Sequence, residues 1–412
     1  MEVLVDRCAG LDVHKKSVTA CVRTPGEKGQ RRQVVRTYKT FTGELAKLRA
    51  WLAEEGVTRV AMESTGVLWK PPWHALEGGF ELLLVNARHV KALPGRKTDV
   101  QDAAWLAQLL ECGLLRGSFV PPPLIRQLRD LTRYRKRLIE DQVREGQRVE
   151  KLLEDAGIKL ASVASKTLGM SGRAMLAALC DGERDPEVLA ELALGRLRAR
   201  LAELRQALQG RFGEHHQVML DAVLGHVDHL EAAIAELDRR IDLVIAPFAA
   251  LRDRLCTIPG IGKRTAEVLI AEIGVDMTQF PTAAHLASWA KICPGNNESA
   301  GKHRSGKNPG GNKWLCAALT QAAWAAARTK DTYLASHFWH LARTVGKNKA
   351  AVAVGHTILV SAYHMLARGE DYQELGADYY TRRADPQAHQ RRLVHQLEKL
   401  GLKVTVEPAD AT

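Results

Sequence analysis

The sequence predicts an N-terminal α/β domain followed by two largely helical regions, and three features carry that prediction. Short β-rich segments crowd the first 85 residues, Pro121, Pro122 and Pro123 break the chain after a helix, and long heptad stretches follow. At 412 residues the chain exceeds what one core usually holds, so two or three domains are expected.

Val3 to Leu11, Ser17 to Arg23 and Gln33 to Thr40 read as three successive strands separated by charged or glycine-containing turns. Gly43 to Glu55 is an amphipathic helix with Leu45, Leu48 and Leu52 on one face, and Val57 to Met62 a strand. A short helix around Trp69 to Glu77 leads to a buried strand at Phe80 to Val85. A further helix runs from near Asp99 through Ala103, Leu106, Leu109 and Leu110. The order βββαβαβ with a closing helix is that of a ribonuclease H type unit, placed at 1–120. Region 121–248 carries two heptad seams. Leu124, Leu128, Leu131, Leu138, Val149 and Leu152 form the first; Val223, Val227, Leu230, Ile234, Leu237, Ile241 and Val244 form the cleaner second. They suit an antiparallel hairpin or a dimer contact equally. Region 249–368 is glycine-rich and basic to about 313, then alanine-rich and helical. The stretch 369–412, charged and poor in large apolar groups, is expected to be a loosely packed tail.

Lysine and arginine number 59 against 47 acidic residues, a formal charge of +12 that favours a polyanionic partner, although a basic enzyme with a diffusely positive surface has the same composition. Seven cysteines stand far apart at 8, 21, 112, 180, 256, 293 and 316, which argues against a disulfide framework or a zinc site. Met1 to Arg7 lacks a signal-peptide apolar run, and Ala350 to Ala367 reads as a buried helix, not a membrane span. A cytoplasmic protein is expected.

Four carboxylates fall where this fold would gather them: Asp12 ending the first strand, Glu63 ending the fourth, and Asp99 and Asp102 one helical turn apart. Each alone could be a cap, a solvated strand end or a first-turn acid. Together they would repel one another unless divalent cations sat between them, and two such ions about 4 Å apart suit phosphodiester chemistry. Ile258-Pro259-Gly260-Ile261-Gly262-Lys263-Arg264-Thr265-Ala266 lies between two helical stretches and resembles a helix-hairpin-helix. Gly260 and Gly262 would admit a phosphate to the backbone, with Lys263 and Arg264 adding positive potential; a plain helix-helix turn is the alternative. From Ser299 to Lys330 there is no acidic residue, so Lys302, Arg304, Lys307 and Lys313 form a positive, glycine-interleaved segment.

Gly10-Leu11-Asp12-Val13-His14-Lys15, Met62-Glu63-Ser64-Thr65-Gly66 and Lys97-Thr98-Asp99-Val100-Gln101-Asp102-Ala103 resemble the three blocks of the DEDD transposases, bacterial insertion-sequence recombinases guided by a bridge RNA. Ser299 to Lys302 and Gly311-Asn312-Lys313 resemble their C-terminal transposase domain. The resemblance implies a domain like the Holliday-junction resolvase RuvC, Mg2+ or Mn2+ held by Asp12, Glu63, Asp99 and Asp102, and Ser299 as nucleophile. Ser305 is the rival position; His14 and His303 are assigned no role. It further implies double-stranded DNA and a structured noncoding RNA as partners, a homodimer or homotetramer, and a phosphoserine link to DNA during insertion and excision. Two competitors stand beside it: a metal-dependent junction endonuclease without a covalent intermediate, and a non-catalytic nucleic-acid scaffold.

Overall fold

A computed structural model describes residues 3–27, 30–86, 99–293, 298–299, 302–303, 311–383 and 386–406. The chain separates into two compact units, Met1–Val120 and Pro121–Thr412.

In the first unit, strands β1 (Cys8–Val13), β2 (Ser17–Pro25), β3 (Arg31–Lys39), β4 (Arg59–Glu63) and β5 (Glu81–Val85) form one sheet in the order β3-β2-β1-β4-β5. The first three are antiparallel neighbours, whereas β4 and β5 run parallel to β1. This is the mixed α/β arrangement expected from the sequence. Alternation along the strands sorts side chains between two layers. Ala9, Leu11 and Val13 of β1, with Val60 and Met62 of β4, pack against Leu45, Leu48 and Leu52 of α1 (Thr42–Glu54) and Trp73 and Leu76 of α2 (Lys70–Leu76). Cys8 and Ala61 face the opposite layer, Leu106, Leu109 and Leu110 of α3 (Asp99–Glu111).

The contact between α3 and β1 is set by Gly10. A Cβ there would stand 2.4 Å from both the Ala103 carbonyl oxygen and the Ala107 nitrogen, so only glycine lets the helix backbone lie directly on the strand. The far end of α3 is held by Glu111, only 3% exposed, which accepts from Arg23 of β2 at 3.1 Å and Arg31 of β3 at 2.6 Å. Burial, followed by that carboxylate, pushes the Cys8 thiol beneath the helix up to about 12.

In the second unit, α4 (Pro123–Asp155), a short α5 (Met170–Cys180) and α6 (Glu214–Ile245) form the central bundle. α4 and α6 are antiparallel: Arg135 meets Asp238, Gln142 meets Glu231, and Asp155 meets His216. Leu138, Leu230 and Ile234 fill the seam, so the heptads close a hairpin within the chain. Beyond α6 come α7 (Lys263–Ile273), α8 (Ala283–Ala290), α9 (Lys313–Ala326), α10 (Tyr333–Val345) and α11 (Lys347–Arg368). α11 is long and apolar enough to cross a membrane, but it buries Ala350, Val354, Ile358 and Ala362 in the helical core. Within the segment after 368, residues 371–380 are tied to the helical core, while most described residues from 390 on are exposed, as the sequence predicts of a loosely packed tail. Asp371 accepts from Arg254 at 3.0 Å, Glu374 accepts from the Tyr333 N–H at 2.6 Å, and Tyr380 stacks on His340 with centroids 4.1 Å apart. Planar rings supply burial that a count of large apolar residues misses.

Gly10→Ala should lower stability by about 1–3 kcal/mol through overpacking, read as a lower urea midpoint. Gly43→Ala, where an added Cβ meets nothing within 4 Å, should leave it unchanged or slightly raised. Equal midpoints for the two variants would show that α3 does not need the bare strand.

Candidate active site

β1 and β4 pair in parallel with Leu11 opposite Met62 and Gly10 opposite Ala61. The next residues, Asp12 and Glu63, therefore end neighbouring strands side by side, and alternation puts both on the sheet face that α3 covers. Asp102 immediately precedes Ala103, whose carbonyl lies against Gly10, and Asp99 opens the same helix. All four predicted acids thus belong to elements that meet at Gly10. The Asp12 and Glu63 side chains are half-buried and Asp102 is exposed; Asp99 is described by its backbone alone, and Lys97 and Thr98 lie outside the described residues.

His14, given no role by the sequence, brings Nε2 to 3.0 Å from Asp12 Oδ2. Its spacing two residues on from the acid was the only signal available. Among the described residues the acids do not form a three-donor group with all ligand atoms within 4.8 Å; Asp155, His215 and His216 do. That second group is a helix cap. The Gly213 N–H donates to His216 Nδ1 at 3.1 Å, which places the ring proton on Nε2, 3.0 Å from Asp155 Oδ2, and leaves no lone pair there for an ion. The strand-end acids offer what a hard divalent cation prefers, partly solvated carboxylate oxygens on a rigid sheet.

The hairpin between α7 and the short helix Ala249–Leu255 has the expected form, and Gly260 in it also lies against another helix of the unit. It has φ +88°, and a Cβ would stand 2.3 Å from the Ala322 carbonyl of α9; its close approach is to the protein's own helix. Gly262 caps α7 with open space around it. Lys263 and Arg264 are ion-paired to Asp242 and Asp238 of α6 at 2.7 and 2.6 Å.

Ser299 lies in a two-residue strand β6 (Glu298–Ser299) paired with β7 (Lys302–His303), Ser299 opposite Lys302. Ser305, Arg304 and Lys307 lie outside the described residues. The segment's two ends meet. Gly311 sits so close to the end of α8 that a Cβ would be 2.1 Å from the Ala290 carbonyl, and Cys316 donates to that same oxygen at 3.6 Å. Asn312 then caps α9, accepting from Trp314 and Leu315, while its amide donates to Glu272 at 2.6 Å. Glu272, fully buried, also takes a bidentate pair from Arg133 at 2.7 and 2.8 Å, with Arg129 at 3.6 Å. Burial lowers the Arg129 guanidinium to about 10 against the pull of that carboxylate. Lys313, next in sequence, is exposed.

Residues 9–158 match a DEDD transposase family of IS110, and residues 252–340 match the transposase IS116/IS110/IS902 family. The chain is 33% identical over 121 residues to the "Insertion element IS110 uncharacterized 43.6 kDa protein" of Streptomyces coelicolor, covering 29% of each. It is 39% identical over 77 residues to the "Pilin gene-inverting protein" of Moraxella bovis, covering 18% of this chain and 24% of the relative. These matched stretches therefore span under a third of each relative's length. The RuvC structure of Thermus thermophilus aligns at 14% identity and TM-score 0.23, over 27% of this chain and 99% of that one.

Glu272→Gln should cost about 1–3 kcal/mol, because the partly exposed Arg129 and Arg133 lose their buried counterion. Chemical denaturation measures it, and a loss below about 1 kcal/mol would demote the pair to a surface-like contact.

Proposed function

Because the chain belongs to the IS110 family of transposases, we propose that it is a DNA transposase or recombinase that works through its strand-end acids and Ser299. The adjacency of Asp12 and Glu63 on paired parallel strands, with α3 and Asp102 seated on the same face at Gly10, carries the reading. The name of the pilin gene-inverting relatives supports rearrangement of DNA as the reaction class. We assign the chemistry of the acids to 1–120, the helical hairpin to 121–248 and the serine to 249–368.

Asp12, Glu63, Asp99 and Asp102 would hold Mg2+ or Mn2+, which when bound supplies electrostatic activation of the scissile phosphate. His14 orients the Asp12 carboxylate through its 3.0 Å contact. Ser299 Oγ attacks phosphorus; as the Oγ–P bond forms, one P–O bond of the DNA strand breaks and the hydroxyl proton ends on the departing oxygen. The phosphodiester energy is retained in the phosphoserine link, so rejoining requires no ATP. Double-stranded DNA is the substrate, and a structured noncoding RNA is the guide implied by the family. A second copy of the chain completes the assembly in this reading; the heptad seam is already filled inside each chain.

Labelled element-end DNA incubated with the full chain and Mg2+ or Mn2+ should give a covalent adduct on denaturing electrophoresis. Ser299→Ala should abolish the adduct, and Asp12→Asn, Glu63→Gln or chelation should reduce it by about a thousandfold or more. Metal-dependent cleavage that survives Ser299→Ala would move the protein to the endonuclease reading, with water as nucleophile. An adduct that persists in Ser299→Ala and vanishes in Ser305→Ala would transfer the role to Ser305.

A further inference from the structure

A cavity of about 390 Å³ opens in the second unit between α4, α7 and α9, lined by five cationic side chains and two carboxylates. Trp314, in the first turn of α9, stands in its wall, half-buried. Three cations crowd that indole: Lys313 Nζ lies 5.0 Å from the ring centroid, and the guanidinium carbons of Arg137 and Arg133 at 5.7 and 5.8 Å.

The cations differ in how far they are already satisfied. Arg133 is bound bidentately by Glu272, Arg135 by Asp238 and Glu267, and Arg264 by Asp238, so these shape the cavity. Among the described residues Lys136 pairs with the exposed Glu140 alone, at 3.6 Å. Arg137 and Lys313 are exposed, and among the described residues neither makes an ion pair. Positive charge is therefore left over at the rim, around an aromatic face, over a hollow too small for a duplex. A duplex phosphate backbone would need only the charges. An indole flanked by guanidinium planes suits a base that has left its stack.

We infer that this cavity binds an unpaired nucleotide within a nucleic-acid strand, its base against Trp314 and its flanking phosphates on Lys136, Arg137 and Lys313. The inference deepens the recombinase reading, which requires strands to be opened, but it concerns a binding step that needs neither metal nor Ser299. The same chemistry is offered by an unpaired stretch of DNA and by one of RNA.

The test is fluorescence anisotropy on the full chain in EDTA, with short labelled single-stranded DNA and RNA probes of the same sequence and the matching DNA duplex. Trp314→Leu should weaken single-strand binding about fivefold to hundredfold and leave duplex binding within about twofold, whereas Trp314→Phe should restore most of it. Arg137→Gln, a surface change that leaves folding intact, should weaken single-strand binding and reduce its salt dependence by about 0.7 in log-log slope. Preference for the DNA or the RNA probe identifies which strand occupies the cavity. Unchanged single-strand affinity in Arg137→Gln and in a folded Trp314→Leu protein overturns the inference, as does equal loss for strand and duplex. Adduct formation at Ser299, measured separately, stands or falls on its own.

Discussion

The closeness with which α3 can lie on β1 governs where the candidate acids of the first unit stand. A helix normally stands off a sheet by the length of its side chains; here Gly10, Ala103 and Ala107 let backbone meet backbone. The acids are distributed around that point. Asp12 is two residues beyond Gly10, Glu63 two beyond its strand partner Ala61, and Asp102 one before Ala103. Strand ends fix two carboxylates to within the tolerance of a sheet. The other two inherit whatever precision the helix contact provides, which explains why the same helix is tied down again at Glu111. Preorganisation of this kind is what a multi-carboxylate site demands, since repulsion would otherwise push the acids apart.

The second unit solves a similar problem with charge. The segment bearing Ser299 leaves α8 and returns to it, and its return is fastened by Gly311 against Ala290 and by Asn312 on Glu272. Glu272 can be buried because Arg133 and Arg129 and the Asn312 amide share its oxygens. One carboxylate thereby fixes α4, α7 and the start of α9 in common register. The Gly260 contact on Ala322 repeats the arrangement without charge, joining the hairpin to the same helix.

What the sequence reveals of this design follows the range of each interaction. Strand and helix order were legible because alternation and heptads are local, and Asp12 and Glu63 were legible because they end such patterns. The partners of Glu111 and Glu272 were not: Arg23 and Arg133 lie 88 and 139 residues away, and composition records a charge without its counterion. Gly260 was readable as a site of close approach, but a glycine does not say what approaches it. The heptads likewise announced a helical partner while leaving open whether it came from the same chain. The docking of Tyr380 on His340 was hidden because aromatic and histidine rings count weakly in an apolar tally.

Net charge, for the same reason, is a poor guide to where a polyanion binds. The total of +12 includes arginines such as Arg129, Arg133 and Arg135 that are already ion-paired to buried carboxylates, Glu272 serving the first two and Glu267 the third. Lys263 and Arg264, obvious phosphate ligands in sequence, are drawn to Asp242 and Asp238. A phosphate must compete with those carboxylates for them, whereas Arg137 and Lys313, which make no ion pair among the described residues, would meet it without a competing carboxylate. Exposed cations clustered on the Trp314 ring are one place among the described residues where surface charge of the second unit is not drawn into an ion pair.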